Sequence, residues 1–257
     1  MPISPLLRAA VSGMLSHKLH LDVIANNLAN VNTTGFKASR LGFQDLLYQA
    51  HRTATVNQDL RIGSGVRPAA LEPTFTQGAL QQTDVPTDLA IYGDGFFAVR
   101  LPDGTTAYTR NGSFRLDAGG RLVTADGLAL LPEIVVPPDE AGTLAIGPDG
   151  MVRTSPRGGG TRVLGQIPLA TFTNPEGLEQ ISQTLFRETA NSGAANAGQA
   201  GSPGFGQIVE RALEVSNVSM ADEMSNLIVA QRAYGFSLRA LQTIDEMIGL
   251  ANSLRAR

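Results

Sequence analysis

Three histidines, a scatter of aspartates and one glycine triplet are the residues of this 257-residue chain whose types could do chemistry. A histidine that activates a nucleophile must be held by a scaffold beside a serine and an acid. His17 and His20 fall instead on one helical pattern, and His51 sits in a polar connector. His17 reads as a half-buried residue bonded to a neighbour. No His-x-x-Glu-His pair exists to hold zinc, and the absence of cysteine removes thiol chemistry, disulfides and cysteine-type zinc sites. Asp84, Asp88 and Asp94 lie near glycine and proline, where aspartate builds turns. Gly158-Gly159-Gly160 lacks the strand, helix and lysine of a phosphate loop. The sequence thus offers no catalytic, cofactor-binding or metal-ligating set, and the chain does not read as an enzyme.

The residues that ask for explanation are Asn26, Asn27 and Asn30. Inside a helix each costs several tenths of a kcal/mol relative to alanine. Either the helix ends near Ala25, or the amides bond across helices and fix their register, as one polar residue does in a coiled coil. Ala25 and Ala29, four apart, allow close approach beside them.

The element that must position them runs from about Ser4 to Asn32. Leu7, Ala10, Met14, His17, Leu21, Ile24, Leu28 and Val31 alternate steps of three and four, the spacing of a helix that pairs with others. Ser4-Pro5 is a start signal and Gly35 a stop. A second such helix is expected from Ser219 to about Ser253. Ser219 and Asp222 approximate a capping box, and Met220, Met224, Leu227, Tyr234, Leu238, Leu241 and Ile248 form its stripe, interrupted by Gln231 and Asp245. Two narrow apolar seams of this length need cover from outside their own local sequence.

Between them the period changes. Phe36–Tyr48 is amphipathic and suggests a short helix through Phe43, Leu46 and Leu47. His51–Arg61 reads as an extended connection or β-ribbon. From Val66 the pattern alternates, with strands expected at Leu89–Tyr92, Phe96–Leu101, Thr105–Thr109, Ser113–Leu116, Arg121–Thr124, Leu128–Leu131, Leu144–Ile146, Met151–Thr154 and Val163–Phe172. Asp-Gly and Asn-Gly pairs between them signal hairpins. Asp103-Gly104, Asp126-Gly127 and Asp149-Gly150 stand 23 residues apart, but the segments between do not match, so turns rather than a repeat explain them. Asn191–Gly206 is rich in small and polar residues and reads as a flexible return linker. The expected fold is α+β: a discontinuous, coiled-coil-like helical domain from residues 1–35 and 216–257, a connector or extended hairpin at 36–65, an antiparallel β domain at 66–190, and a linker and strand at 191–215.

The net charge of −3, with scattered Lys and Arg, gives no basic groove for nucleic acid. No run is long and apolar enough to insert in a membrane, and the N-terminus has no secretory-signal pattern, so export would need another route.

The run Asp22-Val-Ile-Ala-Asn-Asn-Leu-Ala-Asn-Val-Asn-Thr-Thr-Gly-Phe-Lys37 closely resembles the N-terminal signature of the bacterial flagellar rod and hook axial family. Glu214-Val-Ser-Asn-Val-Ser219, Glu223-Met224, Leu227-Ile228 and Gln231-Arg232-Ala233-Tyr234 resemble its C-terminal signature. Gly63-Ser-Gly-Val-Arg-Pro68, Gln77-Gly78, Asp88-Leu-Ala-Ile-Tyr-Gly-Asp-Gly-Phe-Phe97 and Asp103-Gly-Thr-Thr-Ala-Tyr-Thr-Arg-Asn-Gly-Ser-Phe114 look most like its distal-rod members. Three departures leave a proximal rod or other hook-basal-body paralogue open: the short stretch Gln49–Ile62, Gly235-Phe236 after Gln-Arg-Ala-Tyr, and Pro2 with Pro5. The resemblance implies a basal-body subunit of the periplasmic rod, exported unfolded without a cleaved signal. It implies a helical tube that carries motor torque to the hook around the export channel. Its partners would be copies of itself, other rod and hook axial proteins, ring proteins around the rod and the export apparatus. Interface residues would be Leu7, Met14, Leu21, Ile24, Asn26, Asn27, Leu28, Asn30, Val31, Met224, Leu227, Gln231, Tyr234, Leu238, Leu241 and Ile248. A coiled-coil adaptor with a ligand-binding β domain is the alternative of another class; its seams would close in a dimer or trimer.

Overall fold

The computed structural model of the chain describes residues 5–45, 49–51, 60–62, 65–156 and 159–255. It is mixed helix and antiparallel sheet, and it divides into two compact units. One holds the residues up to Ala29, Ser39–Glu72 and those from Ser219 on; the other holds Asn30–Ala38 and Pro73–Val218.

In the first unit, helix α1 spans Pro5–Ala29 and helix α2 spans Met220–Arg255. Their 25 and 36 residues give lengths of about 38 and 54 Å. The Ser4 cap lies outside the described residues. Ser219 starts α2 as a cap does: its Oγ accepts the Asp222 N–H at 3.4 Å, and its carbonyl the Glu223 N–H at 3.0 Å. Strand β1 (Ser39–Asp45) contradicts the short helix expected over Phe36–Tyr48. Leu46 and Leu47 lie outside the described residues. Strands β2 (Gln49–His51) and β3 (Leu60–Ile62) pair antiparallel, and β4 (Val66–Pro73) pairs with β1. The apolar spacing around Phe43 fits either period; the ladder to β4, which starts 21 residues after β1 ends, decides it. Val66, where alternation begins, therefore belongs to a strand of the helix-bearing unit.

The second unit holds β5 (Leu80–Gln82), β6 (Leu89–Tyr92), β7 (Phe97–Arg100), β8 (Thr106–Thr109), β9 (Arg115–Leu116), β10 (Leu122–Val123) and β11 (Ala129–Leu130). It continues with β12 (Ala145–Ile146), β13 (Met151–Thr154), β14 (Arg162–Gln166), β15 (Pro168–Thr171), β16 (Glu179–Gln180) and β17 (Leu185–Arg187). The last three are β18 (Asn196–Gln199), β19 (Gln207–Glu210) and β20 (Ala212–Glu214). The largest sheet runs β16-β17-β8-β7-β11-β10-β9. Its apolar residues feed one core around Leu89, Phe97, Val99, Leu130 and Leu169 and a second, aromatic one. In the latter, edge-to-face contacts link Phe75 to Phe96 and Phe186, Phe96 to Phe186 and Phe172, and Phe172 to Tyr108.

Leu101–Thr105, Asp117–Arg121, Thr124–Leu128 and Gly147–Met151 are four versions of one five-residue turn. In each, the first N–H donates to the fifth carbonyl at 2.9–3.0 Å, and the fourth residue, a glycine at φ 77–84°, donates back to the first. Three of these glycines carry the 23-residue spacing, which is turn chemistry and not a repeat. Asn191–Gly206 is no flexible linker. β18 pairs residue for residue with β15, from Pro168 opposite Gln199 to Thr171 opposite Asn196, and Ser192 and Ala200 are fully buried. Small residues serve packing here: Gly198 lies under the Phe205 ring, where any side chain would collide.

Candidate subunit interface

Helices α1 and α2 run antiparallel. Asn27 Nδ2 donates to Glu223 Oε1 at 3.2 Å, and a Cβ on Gly13 would stand 3.9 Å from Ser237 Oγ. Fourteen residues forward on α1 thus match fourteen back on α2. By that register the last ten residues of α2, from Glu246, extend past Pro5.

The face of α2 turned to α1 is Glu223, Leu227, Ala230, Tyr234, Ser237, Leu241 and Ile244, in unbroken steps of four and three. All are buried or half-buried, Ala230 the most at 2 % exposed. The expected stripe shares Leu227, Tyr234 and Leu241 with this face. Met224 and Leu238, with the interrupting Gln231, sit one residue further round and are exposed, as are Met220 and Ile248 at the two ends of the covered row. Either phase satisfies a three-four alternation. The one adopted puts Ala230 and Ser237 opposite α1, with Gly13 facing Ser237, because small residues let the helices approach.

Two uncovered apolar edges remain on α2. One is Met220, Met224 and Leu238. The other is Val229, Phe236, Met247 and Leu250, which with Ala233, Ala240 and Thr243 forms another four-three series. Val229 is 67 % exposed and Phe236 65 %, the latter capped only by the Arg239 guanidinium 4.9 Å from its ring centroid. The second edge is offset by two residues from the first, about 160° round the helix. Between them, away from α1, runs a polar strip of Arg232, Arg239, Gln242, Glu246, Gly249 and Ser253, with Ile228 at its start.

On α1 the expected seam lies on the covered side: Ile24 is buried, and Ala10, Met14, His17, Leu21 and Leu28 are half-buried. The side chain of Leu7 lies outside the described residues. Asn27 is buried, and its carboxamide pairs with the Ser39 backbone both ways, accepting its N–H at 3.0 Å and donating to its carbonyl at 2.9 Å. Asn26 is exposed. The helix ends at Ala29 and not near Asn32, so Asn30 lies outside it, contrary to the expectation; it is buried in the turn that follows, its Oδ1 accepting the Thr33 hydroxyl at 3.1 Å. Val31 is half-buried beside it. His20 packs its ring edge-on against Phe43 at 5.7 Å; burial, and then His17, push its pKa down, and Glu223 opposes them.

The sequence reading missed a charged cluster inside the β unit. Lys37 Nζ donates to Glu214 Oε1 at 2.6 Å, and Arg110 Nη1 to Glu214 Oε2 at 3.4 Å; the Lys37 and Glu214 side chains are fully buried. One signal was available: in the alternation through β20, Glu214 shares the inward face of Ala212. Among the described residues no group of His, Asp and Glu could hold a metal ion, and no helix is long and apolar enough to cross a membrane.

What this arrangement offers is surface along α2. Residues 7–37 match the family described as flagella basal body rod protein, residues 90–154 the flagellar hook protein FlgE/F/G D1 domain, and residues 209–254 the flagellar basal body rod FlgEFG protein C-terminal. The flagellar basal-body rod protein FlgG of Borreliella burgdorferi is 46 % identical over 259 residues, covering 97 % of this chain and 98 % of that one. The FlgG of Caulobacter vibrioides is 41 % identical over 260 residues, covering 97 % and 99 %. The flagellar hook protein FlgE of Helicobacter mustelae is 47 % identical over 130 residues, covering 47 % of this chain and 29 % of that one.

The chain belongs to the bacterial flagellar basal-body rod protein family. It is a structural subunit of the flagellar rod, and its full-length similarity fits the distal rod member.

Proposed function

We propose that the chain polymerises into a helical tube by packing the two uncovered edges of α2 against different neighbours. The supporting observation is their placement: two apolar edges about 160° apart, with the chain's own α1 on a third side. Unlike edges that meet head to tail make a heterologous contact, which grows as an open helix where its rotation does not close a ring. In this reading the terminal helices form one discontinuous, coiled-coil-like domain into which the β domain is inserted. The polar strip of α2 faces the export channel, and the tube transmits motor torque to the hook. Leu7, Asn26 and the exposed half of the expected stripe belong to contacts between copies. Other rod and hook proteins cap the tube, ring proteins surround it in the periplasm, and the export apparatus delivers the chain without a cleaved signal.

Two single substitutions test the head-to-tail geometry. Leu238→Asp disables one edge and Phe236→Asp the other, so sedimentation velocity should show each variant unable to polymerise. Mixed together, they should form dimers through the one intact pair of edges. Polymers from either variant alone, or a mixture that stays monomeric, would contradict the proposal.

A further inference from the structure

The segment that follows α1 and the one that precedes α2 meet inside the β unit. Gly35 N–H donates to the Glu214 carbonyl at 2.8 Å, and Ala38 N–H to Asn217 Oδ1 at 2.8 Å. The Glu214 carboxylate gathers Lys37, Arg110 and the Gly78 N–H, the last at 2.8 Å. Lys37 Nζ also donates to the Thr76 carbonyl at 2.8 Å, and Asn217 Nδ2 to the Thr74 carbonyl at 2.8 Å. Two cations thus share one carboxylate in a site closed to water. Removing any member leaves a buried charge or N–H without its partner, which makes such networks all-or-none.

We propose that this network is a clasp: a cooperative unit, separable from the rest of the β unit, that orders the segments after α1 and before α2 together. Lys37 and Glu214 are 177 residues apart, so Gly35, Lys37 and Ala38 gain these buried partners only once the chain through Asn217 is in place. The proposal does not depend on how copies assemble.

Hydrogen exchange on the full chain tests it. Asn217→Ala touches neither the Gly35 acceptor nor the Gly78 acceptor. A clasp predicts that exchange at Gly35, Ala38 and Gly78 nevertheless rises together, by about tenfold or more, the factor that one lost buried hydrogen bond corresponds to. The β7–β8 amides should keep their rates. Glu214→Gln, which keeps the shape and removes the charge, should accelerate the same three amides. Acceleration of Ala38 alone in Asn217→Ala would overturn the proposal. So would equal acceleration of the β7–β8 amides, since the network would then be no separate unit.

Discussion

At the residue scale, Asn27 does work for which an asparagine is needed. Its amide offers a donor and an acceptor to one peptide unit at Ser39, and a further bond reaches Glu223. Asn27→Ala should destabilise the helix-bearing unit by about 2 kcal/mol, because the partners are left partly buried and unpaired. Faster exchange of the Ser39 amide and a lower thermal midpoint would show it. Asn27→Asp keeps the acceptor, loses the donor and places a second carboxylate beside Glu223, so it should be worse at pH 7 than at pH 4. His20 supplies a pH dependence of its own. Its folded pKa is below 6.5, chiefly through burial, so between that value and 6.5 the unfolded chain binds more protons than the folded one. The His20 contribution is therefore complete above pH 6.5 and lost as pH falls through the folded pKa. His20→Gln should flatten that part of the curve in a pH series of thermal unfolding.

At the element scale, the turns and the helices differ in how much of them can be read locally. The strands from β6 to β13 lie within about two residues of their expected positions, because glycine at positive φ in a five-residue turn fixes each hairpin on the spot. Gly127→Ala meets nothing within reach of its new Cβ and should cost only the left-handed conformation, about 1 kcal/mol. Gly112→Ala would drive its Cβ into the Leu89 carbonyl and should lower the urea midpoint far more. Elements that depend on remote partners were not legible in this way. β1 needs β4, β18 needs β15, and the phase of α2 needs α1, whose Gly13 selects the small row Ala230 and Ser237 over the bulkier Met224 and Leu238. The helices were visible as helices because a seam of three-four steps shows in any window. Which of several seams faces inward is a tertiary decision.

At the scale of the whole molecule, the chain covers its helices only in part, and most apolar side chains described on α2 stand in water. An isolated subunit should therefore show weak exchange protection through α2 beyond Glu246, where α1 gives no cover, and strong protection in the β unit. Alternation through β20 marks Glu214 as inward-facing but does not name its partner, since Lys37 lies in no apolar pattern and their pairing spans most of the chain. The most direct test of the account is an electron cryomicroscopy structure of the polymer formed by the full chain. Phe236 and Leu238 are expected to be buried against two different neighbouring copies, with Arg232 and Gln242 facing the channel. Both side chains left in solvent, or both packed on the same partner in a closed oligomer, would contradict it.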